Sequence, residues 1–174
     1  MEKYFSDHLQ SSSTIEASGV ACLLIGTNTL HKIANEVQTA IKIAVIHIAE
    51  AVAKEILKNG LKKAGLPGTR YTMQLGFYAD HFATHGIETI IPDQEDIDLI
   101  NHTIYNEFSK NIFLPETKAK YLEIIPGLKG KGAEGIVLGY TEIPLLVKQS
   151  DCDILLFDPA KIHSSAGVDH VLSL

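Results

Sequence analysis

Gly135-Ile136-Val137-Leu138-Gly139-Tyr140-Thr141-Glu142-Ile143-Pro144 is the stretch on which the reading of this chain turns. Its short apolar run, Ile136 to Leu138, ends at Gly139 and gives way to polar residues that can open a helix. Such a run reads as a buried strand delivering Tyr140, Thr141 and Glu142 to the carboxyl edge of a parallel sheet, where open α/β sheets bind their ligands. A second stretch, Ala21-Cys22-Leu23-Leu24-Ile25-Gly26-Thr27-Asn28-Thr29-Leu30-His31, has the same form: apolar strand, glycine, then Thr and Asn at a helix start. The two units read as counterparts.

Strand and helix alternate around them. After strand 21–25, Leu30, Ile33, Ala34 and Val37 recur at helical spacing, with Thr27-Asn28-Thr29 either capping that helix or offering an anion site at its start. Ile43 to Ile48 reads as a strand; Ile48, Val52 and Ile56 then share one helix face, closed by Gly60, with Glu50 and Lys54 paired at i,i+4 and His47 as a packing residue. Next come a strand at Lys63 to Leu66, the turn Gly68-Thr69-Arg70-Tyr71-Thr72-Met73, and one helix carrying Met73, Phe77 and His81 on a side. Pro67 would remove a ladder donor unless the strand has already ended.

Ile87 to Ile91 is a further strand, and Pro92-Asp93 with Asp96 reads as the cap of a helix bearing Ile97, Ile100, Ile104 and Phe108. A helix from Pro115 places Ala119, Leu122 and Ile125 inward, and Pro126-Gly127 is expected to interrupt it, because a mid-helix proline costs about 3 kcal/mol and glycine about 1 more. The last strand is Asp153 to Phe157, after which Asp158-Pro159 opens the C-terminal helix. Residues 2 to about 17 read as a polar helix weakened by the run Ser11-Ser12-Ser13-Thr14. At least six strand–helix repeats predict an α/β fold with parallel, doubly wound sheets.

At its two counterpart turns the chain resembles the cofactor-independent aspartate/glutamate racemase family, whose members carry Cys-Thr-Asn-Thr at the first turn and Gly-Cys-Thr-Glu at the second. Here stand Gly26-Thr27-Asn28-Thr29 and Gly139-Tyr140-Thr141-Glu142, with both cysteines replaced. The resemblance extends through Gly68 to Met73, Gly132-Ala133-Glu134-Gly135, and Glu142 to Val147. It implies two lobes of similar topology with the site between them: part of a first lobe in residues 1–60, a complete second lobe in 61–158, and a helix in 159–174 returning to the first. The family's opening strand, glycine-rich turn and following strand have no counterpart, so an open sheet edge is expected, with pairing to a second copy or marginal stability. The implied substrate is a small acidic amino acid, and the implied chemistry needs no cofactor or metal.

Racemisation without pyridoxal phosphate removes the α-proton on one face and returns one on the other, so the family sets one thiol on each side of the α-carbon. A free thiol with a pKa of about 8.5 is readily lowered into range. Gly26 offers no titratable group, and the Tyr140 phenol starts near 10. The resemblance also makes Thr69 a substrate contact, and it sets Lys118 either at a substrate carboxylate or in solvent. His163 matches a histidine that partners the second cysteine; here it either hydrogen-bonds the Tyr140 phenol or is idle. The leading expectation is a racemase-family isomerase fold that has lost its chemistry. Two readings compete with it. One is a non-catalytic module that keeps Thr27, Asn28, Thr29, Thr69, Thr141 and Glu142 to hold aspartate or glutamate. The other is a one-base lyase or decarboxylase using Tyr140 and His163.

The 174 residues, 45% hydrophobic and 21% charged, suffice for one or two small lobes with a buried core. A net charge of −6 without a Lys/Arg cluster argues against a nucleic-acid partner. Met1 to His8 lacks a signal-peptide core and no apolar run reaches spanning length, so no membrane partner and a cytoplasmic location are expected. Cys22 and Cys152 sit in apolar segments away from metal-ligand spacing and are expected as reduced, buried thiols.

Overall fold

The computed structural model describes residues 11–174, so part of the helix expected over 2–17 lies outside the described residues. Residues 11–17 form helix α1. The strands are β1 (Cys22–Leu24), β2 (Ala44–Ile46), β3 (Lys63–Gly65), β4 (Glu88–Ile90), β5 (Gly135–Val137) and β6 (Leu155–Phe157). The remaining helices are α2 (Ala34–Ala40), α3 (Ile48–Lys58), α4 (Arg70–Gln74), α5 (Phe77–Thr84), α6 (Gln94–Asn106), α7 (Pro115–Gly130), α8 (Ile143–Leu146) and α9 (Pro159–Leu172). All strand pairs are parallel: β1 pairs with β2, and a separate four-stranded sheet runs β4-β3-β5-β6.

Side-chain alternation along these strands sends residues to two cores. Ala64, Leu66, Val137 and Phe157 pack with Val52, Ile56, Tyr78 and Phe82 of α3 and α5. Ile90, Ile136 and Leu138 pack with Ile97, Ile100 and Ile104 of α6 and with Ile124, Ile125 and Leu128 of α7. Helices thus cover both faces of the four-stranded sheet, the doubly wound arrangement expected. Helix α9 packs on α3 and returns to β1, where Gly167 lies so close that a Cβ there would stand 2.9 Å from Leu24.

Both β2 and β6 are shielded along a rim by a glutamine amide. Gln38 accepts from the Val45 N–H at 2.8 Å and donates to the Ile43 carbonyl at 3.1 Å. Gln149 accepts from the Leu156 N–H and donates to the Ile154 carbonyl, both at 2.9 Å. Each amide supplies the donor and acceptor that a neighbouring strand would supply.

Three expectations are corrected. Pro126 does not interrupt α7, which continues to Gly130. Burying Ile124, Ile125 and Leu128, at about 1.5–3 kcal/mol each, outweighs the helix penalty of Pro126-Gly127, and that dipeptide faces solvent. The inner face of α7 is Thr117, Tyr121, Ile124, Ile125 and Leu128, while Ala119 is exposed and Leu122 half-buried. The single helix expected through Met73, Phe77 and His81 is two helices, because Gly76 takes the left-handed conformation (φ 80°) between them. That break resets the helical phase, so Tyr78 and Phe82 face the core. Pro67 is harmless, since β3 ends at Gly65.

Candidate functional site

The order of the larger sheet reverses between β3 and β5, and this switch point is held together by two glycines. Gly68 and Gly139 form a parallel bridge, and the Gly139 N–H donates to the Pro67 carbonyl at 2.8 Å. The backbones approach so closely that a Cβ on Gly68 would stand 2.8 Å from the Gly139 carbonyl oxygen. Gly68→Ala is therefore expected to destabilise the chain by about 1–3 kcal/mol, read as a lower urea midpoint. An unchanged midpoint would mean that the switch point yields freely.

From this point Thr69 and Tyr140 leave on adjacent strand ends. Tyr140 turns out of β5 through an N–H bond to the Leu138 carbonyl, and Thr27 leaves β1 through the same three-residue turn to Ile25, both at 2.8 Å. The Tyr140 ring lies half-buried, stacked 6.5 Å from Phe108. Burial, then the charges of Glu142 and Tyr105, push its phenol above the ordinary range. Thr141 donates to the Glu142 carboxylate. Thr69 is buried as the N-cap of α4: its oxygen accepts from the Thr72 N–H at 3.0 Å and lies 2.9 Å from the Thr72 hydroxyl. A pocket of about 370 Å³ lined by Arg70, Tyr71, Gln74, Leu75, Asn101 and Tyr105 adjoins this side.

The first turn is built differently from the expected cap. Thr29–Ile33 is a 3-10 turn, and Asn28 makes no side-chain bond to it. The Asn28 amide oxygen instead accepts from the Tyr78 hydroxyl at 2.7 Å, across the two sheets. Asn28 is 3% exposed, and its amide nitrogen has no partner among the described residues. Such a buried donor costs about 1–3 kcal/mol when it goes unpaired. The 3-10 turn is too short to supply a helix N-terminus, which leaves the Asn28 amide as the free donor at this turn among the described residues.

Behind this turn lies a group of histidines. His31 and His47 rings sit 4.9 Å apart, His31 and His163 5.2 Å, and His47 stacks on His81 at 3.9 Å. The His31 Nδ1–H donates to the Thr27 carbonyl at 2.8 Å, fixing its tautomer, and its Nε2 has no partner among the described residues. His47 was expected to pack; it also caps α3, its Nδ1 accepting from the Ala49 N–H at 3.2 Å. Desolvation by burial lowers His31 to about 4 and His47 to about 3, the latter helped by the charge of His81. No group of three or more His, Cys, Asp or Glu among the described residues is arranged to hold a metal ion.

Several sequence-derived roles change here. His163 does not bond the Tyr140 phenol: its Nε2–H donates to the Ile46 carbonyl at 2.5 Å. Lys118 is not free in solvent, being paired with Asp151 at 2.8 Å. Asp93 caps nothing with its side chain and pairs with Lys131 at 2.7 Å. Cys22 and Cys152 are free thiols, as expected, but half-buried. The Glu50–Lys54 pair forms at 3.2 Å. Sequence reasoning missed Tyr78 and His31, whose one signal is an unexplained polar group in an apolar pattern. A separate groove of about 910 Å³ lies between α3, α9 and β6, lined among others by Lys54, Lys58, Leu155, Phe157 and Lys161; it holds none of the site residues. No described helix is long and apolar enough to cross a membrane.

Two sets of parallel strands thus end in turns at their carboxyl edges, one carrying the buried Asn28 amide and the other Tyr140-Thr141-Glu142, in a doubly wound α/β fold. The family described as Asp/Glu/Hydantoin racemase matches residues 4–166. A candidate Asp/Glu racemase from Yersinia pestis is 38% identical, with a TM-score of 0.90 over 94% of this chain and 72% of that one. An aspartate racemase homologue from Pyrococcus horikoshii OT3 is 31% identical, with a TM-score of 0.84 over 92% of this chain and 71% of that one. A broad specificity amino-acid racemase from Bacillus subtilis (strain 168) is 34% identical over 79 residues, 45% of this chain and 34% of the relative. The chain belongs to the Asp/Glu/hydantoin racemase family.

Proposed function

We propose that this family member binds a small dicarboxylic amino acid, aspartate or glutamate, and does not racemise it. The observation that carries the catalytic half is that neither of the two counterpart turn positions, 26 and 140, offers a base near neutral pH. Position 26 has no side chain, and the Tyr140 phenol is pushed further from neutral pH by its surroundings. A phenol held protonated cannot accept the α-proton. Support for the binding half comes from the buried, unpartnered Asn28 amide, a donor suited to a carboxylate oxygen. In this reading Thr27 and Thr29 lie beside that donor, and the Glu142 carboxylate, oriented by Thr141, accepts from the ligand's ammonium. The names of the Yersinia and Pyrococcus relatives favour the same ligands.

The test is proton NMR of the full chain with L- and D-aspartate and glutamate in D2O. The expected result is broadened ligand lines with the α-proton signal undiminished against a buffer control. Washout of the α-proton would overturn the catalytic half, and unbroadened lines at millimolar protein would overturn the binding half.

A further inference from the structure

We infer that Tyr78 is a positioning residue: its hydroxyl fixes the Asn28 side chain so that the amide N–H groups, and not the amide oxygen, are presented to the bound amino acid. This rests on the binding reading above. An asparagine amide can turn either of two chemically opposite ends toward a ligand, and only the NH2 end complements a carboxylate. Tyr78 removes the choice by donating to Oδ1 at 2.7 Å. The residue is 0% exposed, its ring tilted against Phe77 at 4.8 Å and edge-on to Phe82 at 5.3 Å, so the hydroxyl cannot swing away. Burial holds the phenol above its ordinary range and keeps its proton in place.

The bond also joins two parts of the fold. Tyr78 stands on α5, which packs on the four-stranded sheet, whereas Asn28 follows β1 of the two-stranded one. The second sheet therefore sets the rotamer of the first turn's recognition group. The Nδ2 left over is buried without a partner among the described residues, which is the expected state of a donor kept for a ligand.

The experiment measures L-aspartate affinity by titration calorimetry on the full native chain, Tyr78→Phe, Asn28→Ala, the double variant and Asn28→Asp, with a melting curve for each. Tyr78→Phe keeps the ring and is expected to stay folded while weakening aspartate roughly tenfold, the loss of one well-placed hydrogen bond. Asn28→Asp still accepts from Tyr78 but offers an acceptor to the ligand, so it is expected to stay folded and lose binding. The losses in the double variant are expected to be non-additive, no worse than in Asn28→Ala alone, because Tyr78 acts only through Asn28. Tyr78→Phe leaves the buried Asn28 oxygen without its donor and lowers the melting temperature on either account, so the deciding readout is affinity: additive losses in the double variant overturn the inference. Binding by the native chain that Tyr78→Phe leaves unchanged overturns this inference alone. No binding by the native chain overturns the functional reading and this inference with it.

Discussion

Replacing Gly26 and Tyr140 together by cysteine is expected to yield a chain that exchanges the α-proton of aspartate or glutamate with D2O from both enantiomers, where the native chain exchanges neither. Two-base racemisation fails if one face lacks a base, so each replacement alone is expected to give at most one-sided exchange. Position 26 has room: a Cβ there would meet no atom within 4 Å. Position 140 loses bulk on going to cysteine, and the partial stacking on Phe108 that goes with it is worth about 0.5–1.5 kcal/mol, which leaves the fold intact. A positioned base contributes about 10² to 10⁴-fold, so the gain in the double variant is orders of magnitude in exchange rate. The measurement is α-proton NMR with chiral chromatography of the products. A double variant that is folded, binds aspartate and still exchanges nothing would show that more than the thiols is lacking.

Acid is expected to destabilise the protein from about pH 6.5 downward. The unfolded chain protonates its histidines near 6.5, whereas His31 and His47 in the fold do so only near 4 and 3. Between those values the unfolded state binds more protons, so stability rises with pH. Stability is therefore greatest above about 6.5 and falls progressively as pH drops from there towards the folded values, below which no further loss comes from this pair. Each site gives at most about 1.4 kcal/mol per pH unit, and solvent screening at the half-buried His47 cuts its share, so the pair amounts to roughly 2–3 kcal/mol lost by pH 5, a large share of a typical domain's stability. Protonating His47 also consumes the Nδ1 lone pair that caps α3. Urea titrations at pH 7, 6 and 5 provide the test, with His47→Asn as the control, since asparagine caps without titrating. An acid slope identical in native and variant chains would remove His47 from the account.

The strands, their parallel pairing and most helices follow from period and punctuation in the sequence, as do the two counterpart turns at Gly26 and Gly139 that mark the site. These are local signals: apolar runs, caps such as Asp158, which accepts from the Ala160 and Lys161 N–H groups, and glycines at strand ends. Family membership was legible for the same reason, being carried by contiguous motifs. What failed was every statement that needed to know what else comes near. Pro126 looks helix-breaking until Ile124, Ile125 and Leu128 are seen buried together; Lys118 looks free until Asp151 appears beside it; His163 looks aimed at Tyr140 until the Ile46 carbonyl, 117 residues away, accepts its N–H. Gly76 shifted the phase of α5 and so hid Tyr78 and Phe82. The sequence alone thus determined the fold class, the position of the two turns and the absence of cysteine from both. Only the tertiary structure decided that Asn28 is held by Tyr78 and that two buried and two half-buried histidines form one cluster, because hydrogen-bond partners and desolvation arise between segments far apart in the chain.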